Sequence, residues 1–132
     1  MKLLLDSHFC FWLALSRERL AEIELSVVLE PENDLAFPSI AIWELRIKWE
    51  KRFVSGERKG EANPSDVLNY LRDLGLPAIV LSPEIAATKL REPIGHSDPF
   101  DELMLVIAQE TNRLLFTRDA RLRGHPLAYH PG

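Results

Sequence analysis

Short apolar runs alternate with longer amphipathic stretches along the whole chain. The runs predict β-strands at residues 2–5, 35–37, 78–81, 114–116 and 127–129. The stretches between them predict helices at residues 7–15, 19–30, 39–51, 65–74, 83–90 and 99–112. This alternation is typical of successive βαβ units, so we expect an α/β fold with a mainly parallel central sheet.

The length of the chain indicates one domain. With 132 residues, of which 46% are hydrophobic, the chain can bury one core and is too short for two ordinary domains. We therefore expect a single domain over residues 1–132. The segment 51–64 (KRFVSGERKGEANP) combines two glycines, a proline and many charges, and we expect it to be a surface excursion from this domain.

Composition excludes several classes of protein. A net charge of −4 argues against a protein that coats nucleic acid by bulk attraction. Cys10 is the only cysteine, so an internal disulfide and a cysteine-rich metal site are both excluded, and we expect Cys10 to lie in the core. No apolar run approaches the roughly 20 residues that a bilayer span requires, and we expect a cytoplasmic protein without membrane contact.

Four acidic residues stand beside the predicted strands. Asp6 follows the first strand and Asp119 follows the fourth, and residues just past parallel strands gather at the carboxyl edge of the sheet. Glu44 shares a face of its predicted helix with Ile40 and Ile47. Each aspartate could instead cap the helix or turn that it precedes. A carboxylate on an apolar helix face, however, needs a partner.

The segment HSDPFDELMLVIAQ contains two further aspartates with different predicted roles. Asp98 is a natural N-cap, because Pro99 fits the first helical position. Asp101 would align with the apolar face of the same helix, beside Met104 and Leu105. We therefore assign Asp101 to the chemistry and Asp98 to capping.

Convergence of Asp6, Glu44, Asp101 and Asp119 at one edge predicts a metal site. Unpaired carboxylates that lie close together raise one another's pKa and destabilise the fold. A divalent cation such as Mg²⁺ or Mn²⁺ removes that conflict, because hard cations prefer oxygen ligands. Such an ion can also activate water and stabilise a reacting phosphodiester.

The chain resembles a PIN-domain ribonuclease of the VapC type, the toxin of bacterial toxin–antitoxin pairs. The matching blocks are LLLDSHFCFW (3–12), PSIAIWEL (38–45), HSDPFDELMLVIAQ (96–109) and LLFTRDARL (114–122). They span nearly the whole chain, in the order and approximate spacing of the family. Where relatives commonly carry an arginine directly after DPFD, this chain has Glu102, which adds negative charge beside the site.

The resemblance implies a three-layer α/β/α fold and a metal-dependent endoribonuclease. The catalytic acids of the family fall on Asp6, Glu44, Asp101 and Asp119, with Mg²⁺ or Mn²⁺ held by the three aspartates and Glu44 acting through water. Supporting positions of the site fall on Asp98, Thr117 and Ser39. The resemblance further implies an RNA substrate, an antitoxin partner and a homodimer.

Because the net charge of the protein is negative, local groups of basic residues are needed to bind RNA. The candidates are Lys51 and Arg52, near the exposed end of an amphipathic helix with Trp49 and Phe53, together with Arg118 and Arg121 beside Asp119. The aromatic–basic group could instead receive an antitoxin helix. A PIN-fold module that binds RNA or protein without cleaving it is the alternative function.

Overall fold

The computed structural model describes all residues from Met1 to Gly132. The helices are α1 (Ser7–Leu15), α2 (Glu22–Leu29), α3 (Ser39–Glu50), α4 (Pro64–Asp73), α5 (Pro83–Ala86) and α6 (Pro99–Glu110). The strands are β1 (Lys2–Leu5), β2 (Asp34–Pro38), β3 (Ala78–Ile79), β4 (Leu114–Phe116) and β5 (Ala128–Tyr129). None of the helices is long and apolar enough to be a membrane span.

The five strands form one parallel sheet in the order β3-β2-β1-β4-β5. The central strand β1 pairs on both sides, with Leu3 opposite Leu35 of β2 and Leu114 of β4. Its side chains are buried on both faces of the sheet, which is why KLLL is a continuous apolar run without alternation. The predicted α/β fold with a mainly parallel sheet is thereby confirmed.

The connections place the helices on both faces of the sheet. The chain passes from β1 to β2 and on to β3 in one direction, through α1 to α4, and returns across the sheet to β4 through α5 and α6. Because such crossovers are right-handed, the two sets of helices cover opposite faces. Contacts among α1, α3 and α4, and separately between α5 and α6, agree with this arrangement. Side chains of both layers meet the sheet in one buried cluster.

Several predicted elements have other bounds in the structure, among them the second helix, the third strand and the fifth helix. The predicted helix at 19–30 is divided into a 3₁₀ turn at Arg17–Arg19 and α2. The third strand ends at Ile79 rather than residue 81, since Val80 points into solvent at 72% exposure at the edge of the sheet. Helix α5 ends at Ala86 rather than residue 90, and Ala87 and Thr88 close it with backbone hydrogen bonds.

The segment between α3 and α4 is an exposed excursion, as predicted, but it is held at both ends. An antiparallel bridge joins Arg52 to Arg58. Gly60 then passes so close to the end of α3 that a Cβ atom there would lie 2.3 Å from the Cα of Trp49. Only glycine permits this approach. The segment 51–63 is therefore held against the end of α3.

Candidate functional site

The site lies where the connections of the sheet change direction, between β1 and β4. Ligands of open α/β sheets bind outside the carboxyl ends of the strands at such a point. Asp6 follows β1 directly, and its backbone N–H donates to the carbonyl of Phe116, the last residue of β4. Thr117 follows β4 and is buried. The sheet therefore brings Asp6 and the segment 117–119 together.

Asp6 caps the start of α1, and the pKa of its carboxyl is raised. Its Oδ1 accepts the backbone N–H of Phe9 at 2.9 Å, which is the N-cap that the sequence predicted as the alternative role. Burial raises the pKa of the Asp6 carboxyl, and hydrogen bonds from the Thr117 hydroxyl and the Phe9 N–H offset this only in part. Repulsion from Glu44 raises the pKa further. Ionisation of Asp6 is therefore less favourable in the metal-free fold than that of a free aspartate.

Glu44 lies on α3 with its side chain 21% exposed, and Lys48 Nζ stands 3.8 Å from its Oε2. Ile40 is buried and Ile47 is half-buried, in agreement with the predicted apolar face of α3. Helical spacing also predicts Trp43 on this face, but its side chain is 49% exposed. Trp43 packs instead at a tilted angle of 52° against Phe100 of α6, with 5.6 Å between ring centroids. This contact brings the start of α6 next to α3.

Asp98, Asp101 and Asp119 meet around a single guanidinium group. Nη2 of Arg121 lies 2.9 Å from Asp119 Oδ2, 3.2 Å from Asp101 Oδ2 and 3.7 Å from Asp98 Oδ2. The hydrogen bonds from Arg121 lower the pKa of the Asp119 carboxyl. Asp98 also caps α6, as predicted, by accepting the Phe100 N–H at 2.9 Å. The first turn of α6 and the segment after β4 therefore share one acidic cluster.

His96 contacts the same carboxylate oxygen of Asp101 that Arg121 contacts. Its Nε2 lies 2.7 Å from Asp101 Oδ2, and both side chains are about four-fifths buried, at 20% and 18% exposure. Its contact with Asp101 fixes the rotamer of a predicted metal ligand.

Thr117 connects the two halves of the site. Its hydroxyl accepts the backbone N–H of Asp119 at 3.1 Å, and the same side chain lowers the pKa of the nearby Asp6 carboxyl, which burial raises. The supporting role of Thr117 stays a prediction. Ser39 begins α3 and lies beside Trp43 and Pro64 in another hollow, where its hydroxyl makes no hydrogen bond to any of the four acids. The role of Ser39 stays a prediction.

The side chains suit a hard divalent cation in type, although not in their present spacing. All the candidate ligands are carboxylate oxygens, which Mg²⁺ and Mn²⁺ prefer. No group of three acidic, histidine or cysteine side chains is close enough to hold a metal ion. The Arg121 guanidinium, in contrast, contacts Asp98, Asp101 and Asp119 together.

A second charged network, which the sequence did not reveal, lies behind the site. Glu24 of α2 is 1% exposed and accepts hydrogen bonds from Arg118 Nε at 2.9 Å and from the backbone N–H of Ala21 at 2.8 Å. His130 Nε2 lies 2.6 Å from the same carboxylate. The Arg118 guanidinium also stands 4.4 Å from the ring centre of Trp12. Arg118 therefore has a structural role, and its predicted contact with RNA stays a prediction.

The predicted aromatic–basic group borders a cavity between α1, α3 and segment 51–63. The Arg58 guanidinium lies 4.6 Å from the ring centre of Trp49, and Lys59 Nζ lies 5.2 Å from that of Phe53, which is 54% exposed. The cavity has a volume of about 370 Å³. Its wall includes His8, Trp12, Lys48, Trp49, Lys51 and Lys59, together with the acidic Glu61. Because Lys48 also contacts Glu44, this wall adjoins one of the four predicted acids.

Comparisons with known proteins agree on one family. The family model described as "PIN domain" matches residues 3–126. Ribonuclease VapC22 of Mycobacterium tuberculosis (strain ATCC 25618 / H37Rv) is 34% identical over 125 residues, which are 92% of this chain and 90% of that protein. A crystal structure of VapBC2 from Rickettsia felis bound to a DNA fragment from their promoter superposes with a TM-score of 0.60. That match covers 97% of this chain and 96% of the other at 19% identity, so it concerns the fold.

Proposed function

The chain belongs to the PIN domain family, and we propose that it is a VapC-type endoribonuclease that hydrolyses RNA phosphodiesters with a divalent metal, Mg²⁺ or Mn²⁺. The relative that is named a ribonuclease is 34% identical to this chain over almost the full length of both proteins. Two observations support the proposal: Asp6 and Asp119 follow the neighbouring strands β1 and β4 at the switch point of the sheet, and Asp101 and Asp119 share the Arg121 guanidinium there.

In this proposal Asp6, Asp101 and Asp119 hold the metal. When bound, the ion activates water and neutralises charge that develops on the phosphoryl oxygens. Glu44 orients the attacking water, because its carboxylate is partly exposed and lies near Asp6. Thr117 and His96 orient Asp6 and Asp101 from beside them.

The proposal is tested by incubating the purified protein with structured RNA. We expect cleavage with Mg²⁺ or Mn²⁺ and none after a chelator is added, since the acidic residues alone repel a phosphate. Readdition of metal beyond the chelator should restore cleavage, which excludes damage to the protein. Cleavage that continues in chelator would contradict the metal-dependent mechanism. RNA that is bound but never cut would favour the alternative, a binding module of the same fold.

We propose that RNA approaches along the wall of segment 51–63, where Lys51 and Arg52 provide positive charge next to stacked aromatic rings. The double variant Lys51→Gln, Arg52→Gln should weaken RNA binding about tenfold and lower its salt dependence by about two counterions. Fluorescence anisotropy in chelator measures binding without cleavage. The double variant Arg72→Gln, Lys89→Gln removes the same charge from exposed positions elsewhere and should bind as the wild type does. Equal binding by both double variants would assign Lys51 and Arg52 to solubility.

Partners follow from the same resemblance. We propose that the chain pairs with an antitoxin protein, since the structural relative is a VapBC complex, and that it forms a homodimer. Exposed aromatic side chains such as Trp43 and Phe53 provide apolar surface for such contacts. We place its activity in the cytoplasm, where an RNA-cleaving toxin meets its substrate.

A further inference from the structure

One side chain occupies the position that a metal ion would need. Nη2 of Arg121 lies within 3.7 Å of Asp98, Asp101 and Asp119. Every side-chain hydrogen bond of Arg121 is made with these acids, and the side chain is 56% exposed. The guanidinium therefore neutralises the cluster from the solvent side.

A guanidinium in this place and a metal ion would compete for the same carboxylate oxygens. Metal–oxygen distances for Mg²⁺ and similar cations are about 2.0–2.6 Å, whereas the Arg121 nitrogen holds the oxygens of Asp119 and Asp101 at 2.9 and 3.2 Å. The carboxylates would have to move inward, into space that the guanidinium fills. Two positive charges at this distance would also repel each other.

We propose that Arg121 is a built-in counter-ion, which holds the carboxylate cluster together in the metal-free protein and must leave it before a divalent cation binds. This inference rests on the proposed metal-dependent function. Arg121 lowers the affinity for the metal, because binding must first break its contacts with Asp101 and Asp119. It also stabilises the metal-free fold, because three neighbouring carboxylates would otherwise repel one another.

The exchange has a consequence for RNA. While Arg121 holds the carboxylates its charge is already paired, so that it is not available to a phosphate. Once the metal replaces it, the freed guanidinium stands at the rim of the site, two residues from Asp119, where it can contact the RNA backbone. The predicted RNA contact of Arg121 would then depend on bound metal.

Calorimetric titration of Mn²⁺ into the metal-free full chain tests the proposal. Arg121→Gln should bind Mn²⁺ about tenfold more tightly than the wild type, because the metal no longer displaces a network of charged contacts. Arg123→Gln is the matched control: it removes the same charge from an exposed position in the same turn, without an ion pair, and should change affinity by less than about twofold. Thermal unfolding gives a second measurement. Without metal, Arg121→Gln should unfold at a lower temperature than the wild type, and Mn²⁺ should raise its midpoint by more.

The outcomes separate the inference from the proposed function. Tighter binding by Arg121→Gln alone supports the counter-ion role, as does binding by this variant when the wild type binds none. Equal affinity of wild type and variant would overturn the inference and leave the metal-dependent function standing. Absence of Mn²⁺ binding by both proteins would overturn the inference and the metal site together. If Arg121→Gln does not fold, Arg121→Lys keeps the charge but loses the planar fork, and it should bind about threefold more tightly.

Discussion

Asp6→Asn will cut RNA at least about a hundredfold more slowly than the wild type, and it will fold at least as stably. The loss is large because the variant removes one negative ligand charge from the proposed metal site. The other carboxylates remain, but Asn offers the cation a neutral oxygen that binds more weakly. Both halves of the result follow from the position of Asp6 between β1 and α1.

Stability is retained for two reasons. Asn is as good an N-cap as Asp, so the hydrogen bond to the Phe9 N–H is kept. The pKa of Asp6 is raised in the folded protein, which means that the folded state holds its proton more tightly than the unfolded state does. Ionised Asp6 therefore destabilises the metal-free fold above that pKa. A neutral side chain removes this penalty.

Cleavage and stability should be measured on the same preparations. RNA cleavage with Mg²⁺ or Mn²⁺ gives the activity, and thermal unfolding in chelator gives the stability. Asp73→Asn, at an exposed position near the end of α4, is the control and should leave both unchanged. Near-normal turnover by folded Asp6→Asn would refute the assignment of Asp6. A lower unfolding temperature would show that loss of structure contributes to its inactivity.

The fold was predictable because each buried strand is a continuous apolar run. β1 and β4 are buried on both faces, so KLLL and LLF stand out against the amphipathic helices. The edge strand β3 was predicted too long for the same reason: Val80 is apolar, yet it lies at the edge of the sheet and is exposed. Local sequence does not reveal which apolar residue lies at an edge.

The acidic site was predictable where chain order sets position. Asp6 follows β1, and Asp119 stands just past β4, so parallel strands bring both to one edge. The partner of these acids was not predictable, because Arg121 could equally extend into solvent. Its contact with Asp101 depends on the approach of α6 to the segment after β4, which lie 20 residues apart.

Glu24 is the clearest residue that the sequence reading missed. In EIELSVVL it resembles any exposed acid in the first turn of a helix, and its neighbour Glu22 is one. Its partners Arg118 and His130 lie 94 and 106 residues away, so no local pattern indicates them. Such a buried charge is recognised only in the folded structure, where the side chains that pair with it lie beside it.

Glu24→Gln should destabilise the protein by about 3 kcal/mol at neutral pH. The Glu24 carboxylate is fully buried, and hydrogen bonds from Arg118, followed by those from His130, lower its pKa from 4.5 to about 2. The amide keeps the size of the side chain, but in this buried position it accepts weaker hydrogen bonds from Arg118 and His130 than the carboxylate does, and it removes the counter-ion of the Arg118 guanidinium. Urea unfolding measures the difference. Glu22→Gln, on the exposed face of the same turn, should change stability by less than about 0.5 kcal/mol.

The effect of Glu24 should also depend on pH in a defined direction. A carboxyl with a lowered folded pKa contributes its stability above the unfolded value of 4.5 and loses it as the pH falls toward about 2. The wild type should therefore lose its advantage over Glu24→Gln progressively below pH 4.5, while the two proteins keep a constant difference above it. A difference that stayed constant through this range would mean that packing, rather than the ion pair with Arg118, gives Glu24 its stabilising effect. Because Arg118 directly precedes Asp119, loss of the pair should also loosen the segment that carries a proposed metal ligand.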